Sequence, residues 1–472
     1  MAIFFAFSFG RVLKKDDFGR LFCDFNYLFF KVRGNPMTAK RIQTRTSPAR
    51  AYVAPCRVLF AAVLAFALAA ALGACSNSDC AWDDTCGELD YLPLDDTEYP
   101  YAGLPRLVIQ TENSRDIGDR VNEIPAKLQI WGESAPESKV MQLTIRGRGN
   151  TSWETMPKRS YKIEFAEKQA MLGMPEDRDW ALVSNFADKT LMKNFLAYQL
   201  ATDLGMRYAP RCRFVELYLN RDYLGVYLLT ETIKVAEHRV NIPKTNDSYL
   251  VEITQHPDSI NKTLVVHHPK DASEQVQQTL REHTDKFDEF LETIEMYEKS
   301  DLADWLDIEE CTRHYWVQEF AKNPDATGVA SLYFTWVKGS KIRMGPVWDF
   351  DLAFGGHSDD SVVNPDDWYI RRGYWHSFIF RDSTASRSRV YYWRNNKEKF
   401  AHVLDAIDSL QAQLQGAAEN NFKKWKILQK TEYEYHRQAY GSYKEAVDDL
   451  KAWIRKRYEW IDVEMSVSKR AY

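Results

Sequence analysis

The hydrophobic period of this chain changes near residue 270, and that change sets the fold class. Upstream, apolar residues alternate in the runs RLVIQT, AKLQIWG, VMQLTIRG and SYKIEF, separated by polar and Gly turns. This is the two-residue period of strands with one buried face. FVELYLN, GVYLLTE and YLVEIT continue the pattern, with RDYLG as the turn between the first two. One helix interrupts at 188–204, between Asp188 as N-cap and Gly205 as stop. Downstream, Val276, Leu280, Phe287, Leu291 and Ile294 recur at helical spacing within 273–298, with Asp271 and Glu274 as a capping box. A second helix is expected over 308–322, with Asp307 and Glu310 in the same relation. Two short strands, SLYFTWV and KIRMGPV, bracket Gly339, and a mostly helical stretch runs from 388 to 462. Strands first and helices later predict an α+β protein in two lobes.

A chain of 472 residues, 45% hydrophobic and 14% aromatic, can build a large core. Its net charge of −5 understates how acidic the body is, because residues 1–74 carry eleven Lys and Arg against three Asp and Glu. The remainder holds 51 basic and 64 acidic residues. Such a surface argues against nucleic acid, which is bound by neutralising phosphates. A basic protein or peptide suits it better.

Residues 58–74, VLFAAVLAFALAAALGA, are uncharged and apolar, follow Lys40, Arg41, Arg45, Arg50 and Arg57, and end in small residues before Cys75. That order is a secretory signal. Leu72, Gly73, Ala74 and Cys75 resemble the lipobox of bacterial lipoproteins, in which the Cys is acylated. A single transmembrane anchor is the alternative. The division expected is 1–36 as upstream translated sequence before a start at Met37, 37–75 as lipoprotein signal, 76–103 as tether and 104–472 as the functional domain. Cys80 and Cys86 are candidates for a small disulfide loop, whereas Cys212 and Cys311 lie in apolar patterns and are expected as buried free thiols. No Cys/His spacing suggests zinc.

Chemistry concentrates in GPVWDFDLAFGG, residues 345–356. Asp349 ends an apolar approach in which an unpaired carboxylate is costly, and a metal ion would resolve that cost. Asp351 points to the same side if the strand continues. Upstream, Asp325 follows a helix ending near Asn323, where a general base would lie. A turn residue after Pro324 and a pair of solvated loop carboxylates are the plain alternatives. Glu319 falls on the helical stripe with Ile308, Cys311 and Tyr315, so it needs a partner or a loop to brace. Trp316, Trp336 and Trp348 are expected in the core.

RGRGNTSWETMPKRSYKIEF, DKTLMKNFLAYQLATDLG, YLGVYLLTETIK, WLDIEECTRHYWVQEFAKNPDA and GPVWDFDLAFGG occur in the order found in the CotH kinase family, the spore-coat protein kinases and their exported bacterial relatives. The chain resembles that family over roughly 105–400. The resemblance implies an atypical two-lobed protein-kinase-like fold that moves the γ-phosphate of ATP, with Mg²⁺ or Mn²⁺, to Ser or Thr of an exported protein. It implies Asp325 as catalytic base and Asp349 and Asp351 as metal ligands. It also turns Gly147 and Gly149, a plain hairpin by themselves, into a phosphate loop with Arg146 and Arg148. Lys162 shares a strand face with Ser160 and Glu164 and would put its ammonium on the phosphates; Lys158 is its competitor, and a solvated strand-face lysine the plain reading.

Two departures from ordinary protein kinases stand out. The helix at 188–204 offers Asp188 and Asp203 but no Glu for the strand lysine, so an acid from elsewhere, such as Glu231 or Glu252, would substitute, and Ala330 and Ser331 stand where a second metal ligand would follow the base. The expected protein is a lipid-anchored, extracytoplasmic kinase of the bacterial envelope, with an exported, basic or Ser-rich protein as substrate. A non-catalytic, invasin-like surface binder and an AMP-transferring enzyme are its rivals.

Overall fold

The computed structural model describes residue 89 and residues 94–254, 263–327, 330–433 and 435–467. The expectations for 1–36, for 58–75 and for Cys80 and Cys86 lie outside the described residues. Two halves follow one another, and the second takes in strands at Ser248–Thr254 and Thr263–His268, upstream of the change of period.

The first half is a barrel. Its strands are β1 (Arg106–Thr111), β2 (Ile124–Trp131), β3 (Met141–Arg148), β4 (Ser160–Gln169) and β5 (Asp177–Val183). After helix α1 (Lys193–Asp203) come β6 (Cys212–Leu219) and β7 (Asp222–Glu231). In the order β1-β2-β3-β4-β5-β7-β6 they close on themselves, because β6 pairs in parallel with β1 while the other neighbours are antiparallel. Closure removes both sheet edges. Alternation fills the inside: Leu143, Ile145, Ile163, Phe165, Trp180, Leu217 and Leu229 are fully buried there, each worth about 1.5–3 kcal/mol of apolar burial.

The second half holds a four-stranded sheet ordered β11-β10-β8-β9. Its strands are β8 (Ser248–Thr254), β9 (Thr263–His268), β10 (Leu332–Val337) and β11 (Arg343–Met344). Helices α2 (Glu274–Glu292), α3 (Ile308–Ala321), α4 (Ser383–Lys424) and α5 (Tyr443–Val467) complete it. The outer barrel face does not end in water at β5, β7 and β6. Ala181, Cys212, Phe214, Val226 and Leu228 enter the same core as Leu196, Trp316, Phe350 and Leu414. One continuous core therefore joins barrel and helices.

The α+β expectation holds, with corrections that have local causes. Strands β5 and β9 were not anticipated. In β5, DRDWALV, charged residues break the alternation at one end while Trp180 and Ala181 are buried on opposite faces at the other. The turn before β7 is Asn220–Arg221, both at positive φ, so Asp222–Leu224 belong to the strand. Helix α1 starts at Lys193, not 188, because Asp188 spends its carboxylate on the amides of Thr190 (2.8 Å) and Lys193 (2.9 Å) in a turn that precedes it. Gly205, at φ +77, ends that helix as expected. Ser273 caps α2 by accepting from the Val276 amide, in place of Asp271. Asp307 caps α3 as expected, but Glu310 turns to the Arg207 amide and Arg313 rather than closing a box.

The tether is shorter than expected, since Leu89 is buried, Tyr99 stacks on Tyr223 at 4.3 Å and Asn420 donates to the Pro100 carbonyl. Cys212 and Cys311 are buried free thiols as expected. Trp316, Trp336 and Trp348 are core residues. Among the described residues no helix is long and apolar enough to cross a membrane.

Candidate active site

Helix α3 delivers the first acid. Its last turn ends on Lys322, a C-cap at φ 46 whose ammonium donates to the carbonyls of Ser361, Asn364 and Asp366. Asn323 follows and acts as a clasp. Its Nδ2 donates to Gln318 Oε1 (3.0 Å) and to the Asp349 carbonyl (3.1 Å), while its Oδ1 accepts from the Asp325 amide (3.3 Å). The segments carrying Asp325 and Asp349 are thereby tied together, although 26 residues separate Asn323 from Asp349.

Asp349 is not at a strand end. Strand β11 stops at Met344, and Asp349 sits at φ +65, a left-handed conformation costly for a residue with a Cβ. Such strain persists only when neighbours over-determine it. Here Asn323 holds its carbonyl and Asn194 of α1 accepts from the next amide, Phe350, at 2.8 Å. Asp351 meets Asp349 through this turn rather than along a strand, and the two carboxyls interact directly.

Below the site, Glu319 has the partner it needed. Arg457 of α5 donates to its Oε1 at 2.7 Å, with both side chains fully buried. The remaining acceptor capacity takes the amides of Tyr369 (2.8 Å) and Arg371 (2.9 Å), so Glu319 both pairs and braces a loop.

The electrostatics identify what the cluster lacks. Asp325 is pushed up to about 8, first by burial and then by Asp349 and Glu252. Burial also raises Asp349, with Arg148 and the Asp351 bond pulling the other way and Glu252 adding to the rise. Asp351 is raised well above its ordinary value, by burial, then by Asp349 and Asp325, against the opposing charge of Lys193. Glu252 differs. Burial would raise it, but His267 (2.9 Å), the Ser331 amide (3.1 Å) and the Tyr333 hydroxyl (3.1 Å) hold it below its ordinary value. Three carboxyls are thus crowded beside a fixed negative charge.

Of the basic residues named from the sequence, Arg148 is brought to this cluster, its guanidinium 5.0 Å from the Trp348 ring centroid and its charge acting on Asp349. Arg146 donates instead to the carbonyls of Arg120 and Gly147 and faces Glu123. Lys162 is held by Asp179 (2.8 Å) and Glu164 (3.0 Å), which answers the question of its acid without Glu231 or Glu252. Glu231 pairs with Arg211 and Arg239. Lys158 is fully buried against the Val226 carbonyl and Asn421. A Cβ on Gly147 would meet the Trp153 ring at 2.3 Å, and one on Gly149 the Ser152 hydroxyl at 2.2 Å, so the following turn fills the space beside both glycines.

Sequence reasoning missed Lys193, Asn194 and Asn323 and placed Glu252 in another role. Their only signal was polarity inside apolar runs, as in LMKNFLAYQL and VQEFAKN.

Among the described residues no three His, Cys, Asp or Glu converge closely enough to hold a metal ion by themselves. The Asp349–Asp351 pair nonetheless fits Mg²⁺ or Mn²⁺, since Mg²⁺ takes one or two carboxylates and completes its shell with water and substrate phosphates. Mutual repulsion among the acids is what a cation relieves.

A family model described as CotH kinase protein matches residues 145–461, more than half of the chain. The match begins in β3 and ends in α5, so it takes in Arg148, Glu252, Asp325, Asp349 and Asp351 as well as the Glu319–Arg457 pair. It also extends past residue 400, where the resemblance read from the motifs stopped. Comparison with curated proteins gives no match.

Proposed function

Because the chain belongs to the CotH kinase family, we propose that it transfers the γ-phosphoryl group of ATP to a Ser or Thr hydroxyl of an exported protein. The barrel and the helical half would serve as the two lobes of an atypical kinase. One observation carries this assignment: Asp325, raised to about 8, lies beside the hydrogen-bonded Asp349–Asp351 pair, with Arg148 and Lys193 bringing opposite charge. A base whose affinity for protons lies near neutral pH suits general-base work.

Phosphoryl transfer asks mainly for positioning and charge neutralisation. Asp325 takes the proton of the substrate hydroxyl as its oxygen bonds to the γ-phosphorus, and the bond to the β,γ-bridging oxygen breaks to release ADP. Asp349 and Asp351 would hold the divalent cation, which supplies neutralisation of the phosphate charge. Arg148, stacked on Trp348, limits repulsion at Asp349. The acidic body favours a basic or Ser-rich protein as acceptor. Export and lipid attachment rest on residues 58–75, and Cys75→Ser should release the protein from the membrane fraction.

Incubation of the protein with γ-labelled and α-labelled ATP, Mg²⁺ or Mn²⁺ and a basic, Ser-rich acceptor tests the assignment. Label from the γ position on the acceptor is the expected result. Transfer of the α label would make the protein an AMP transferase, and transfer of neither would leave a surface-binding protein of this fold.

A further inference from the structure

Lys193, the first residue of α1, is only 6% exposed. Among the described residues its ammonium has no hydrogen-bond partner. Carboxylates of Asp188, Asp351 and Asp449 act on it from a distance and oppose the effect of burial. The side chain lines a cavity of about 490 Å³ that also meets Gly355, Gly356, His436, Arg437 and Trp453. Gly356 makes room for it, since a Cβ there would lie 2.1 Å from Nζ. A cation this deep, facing a cavity and unbonded, calls for an anion.

The cavity wall narrows the choice of anion. Arg437, although engaged with Asp360 and the His357 carbonyl, joins Lys189 and Lys456 in outweighing Asp188 and Asp449 on the same wall. His436 has Nε2 2.7 Å from the Phe186 carbonyl, which makes it the donor, and Nδ1 is then a buried acceptor without a partner. Phosphate oxygens only accept, whereas a sugar hydroxyl can donate to such a nitrogen. Phe354, Tyr435 and Trp453 add aromatic surface.

We infer that this cavity receives the polyphosphate and ribose of the nucleotide, with Lys193, rather than Lys162, as the ammonium that faces the phosphates on one side and Asp351 on the other. The assignment rests on the phosphotransferase function proposed above. Helix α1 thereby takes the role expected of the strand lysine Lys162. Lys162 is already committed to two carboxylates.

The test is calorimetric titration of the metal-free full-length protein with ADP and with inorganic tripolyphosphate. ADP should bind more tightly than tripolyphosphate, and Lys193→Gln should weaken both by at least tenfold, with Lys193→Arg recovering part of the loss. Gly356→Ala, which displaces the ammonium without removing it, should weaken both as well and covers the case in which Lys193→Gln does not fold. Lys162→Gln should lose less than Lys193→Gln. Equal or greater loss in Lys162→Gln, or unchanged binding in Lys193→Gln and Gly356→Ala, overturns the assignment. Tripolyphosphate binding that ADP cannot displace also overturns it, by making the cavity a site for free polyphosphate. These outcomes are separable from failure of the phosphotransferase proposal, which would appear as absence of γ-label transfer by the wild type even where Lys193-dependent ADP binding is intact.

Discussion

Two acidic networks in this protein use the same side chains to opposite effect. On the barrel wall, Asp177 and Asp179 are interleaved with Lys162 and Lys234, at 2.8 Å for Lys162–Asp179 and 3.0 Å for Lys234–Asp177. Burial would raise Asp179, yet the bonds from both lysines outweigh it and hold the carboxyl at about 2. Around Asp325, Asp349 and Asp351 the same burial is joined by like charge, and the carboxyls rise. Pairing with lysines sets the sign of the difference. A fully paired network belongs to the scaffold, and an acid cluster left short of cations marks a place where something else must bind.

The comparison breaks first at the chemistry. Asp349→Asn should weaken metal-dependent ATP binding and abolish transfer together. Asp325→Asn should leave binding nearly intact and lower turnover by about 10²- to 10⁴-fold. Calorimetry with Mg²⁺-ATP beside a γ-label assay checks this, and equal loss of affinity in both variants would remove the division of roles.

If pairing is what separates the networks, removing a partner should turn the stable kind into the costly kind. Arg457→Met leaves Glu319 charged in the core and should cost about 3–5 kcal/mol by urea denaturation. Glu319→Gln in the same chain should recover much of it. A cost below about 1 kcal/mol would mean that the loop amides alone satisfy Glu319.

The acid cluster should also destabilise its own fold. Asp325 has a folded-state pKa near 8, above the ordinary value of about 4. The native state therefore binds more protons across that window, and its stability falls as pH rises through it. Without metal, Asp325→Asn should be more stable than the wild type at pH 8, by about 2 kcal/mol after allowing for solvent screening. The gain should vanish near pH 4 and shrink with Mg²⁺. Parallel thermal melts in chelator would show it, and a gain over the wild type no larger at pH 8 than at pH 4 would contradict the crowding.

Asp179 supplies the opposite sign. Its folded pKa of about 2 lies below the ordinary value, so its contribution is present above about pH 4 and lost as pH falls toward 2. Asp179→Asn should cost about 1 kcal/mol at pH 7, discounted because the network is partly exposed. The cost should disappear in acid. Unchanged stability at pH 7 would place this network among surface pairs of no net value.

Legibility in the sequence followed periodicity. β1 matches its expected run RLVIQT residue for residue, and α3 was legible with its Asp307 cap, because alternation and capping are local rules. Barrel closure was not legible. It depends on β5, whose DRDWALV mixes charged and apolar residues because one end joins the Lys162 network while Trp180 and Ala181 fill two different cores. Asp349 stood out as an acid in apolar surroundings, Asp351 by its spacing from Asp349 and Asp325 by its place after a helix. Lys162 stood out equally and lies in an ion-pair network, since a strand-face lysine looks the same in sequence whether it faces phosphate or Asp179.

By itself the sequence determined the change from strand to helix, the main elements and the family, and it set three acids apart as candidates, since each is written in spacing or in an order of short motifs. Tertiary structure decided which charges share a site. Asn323 reaches Asp349, Arg457 reaches Glu319, Arg148 reaches the Trp348 ring and the charge of Lys193 acts on Asp351 only once the barrel and helices share one core. The physical reason is range. Periodicity and capping act over a few residues, whereas electrostatic coupling depends on distance through space, and the chain brings those distances within reach only by folding.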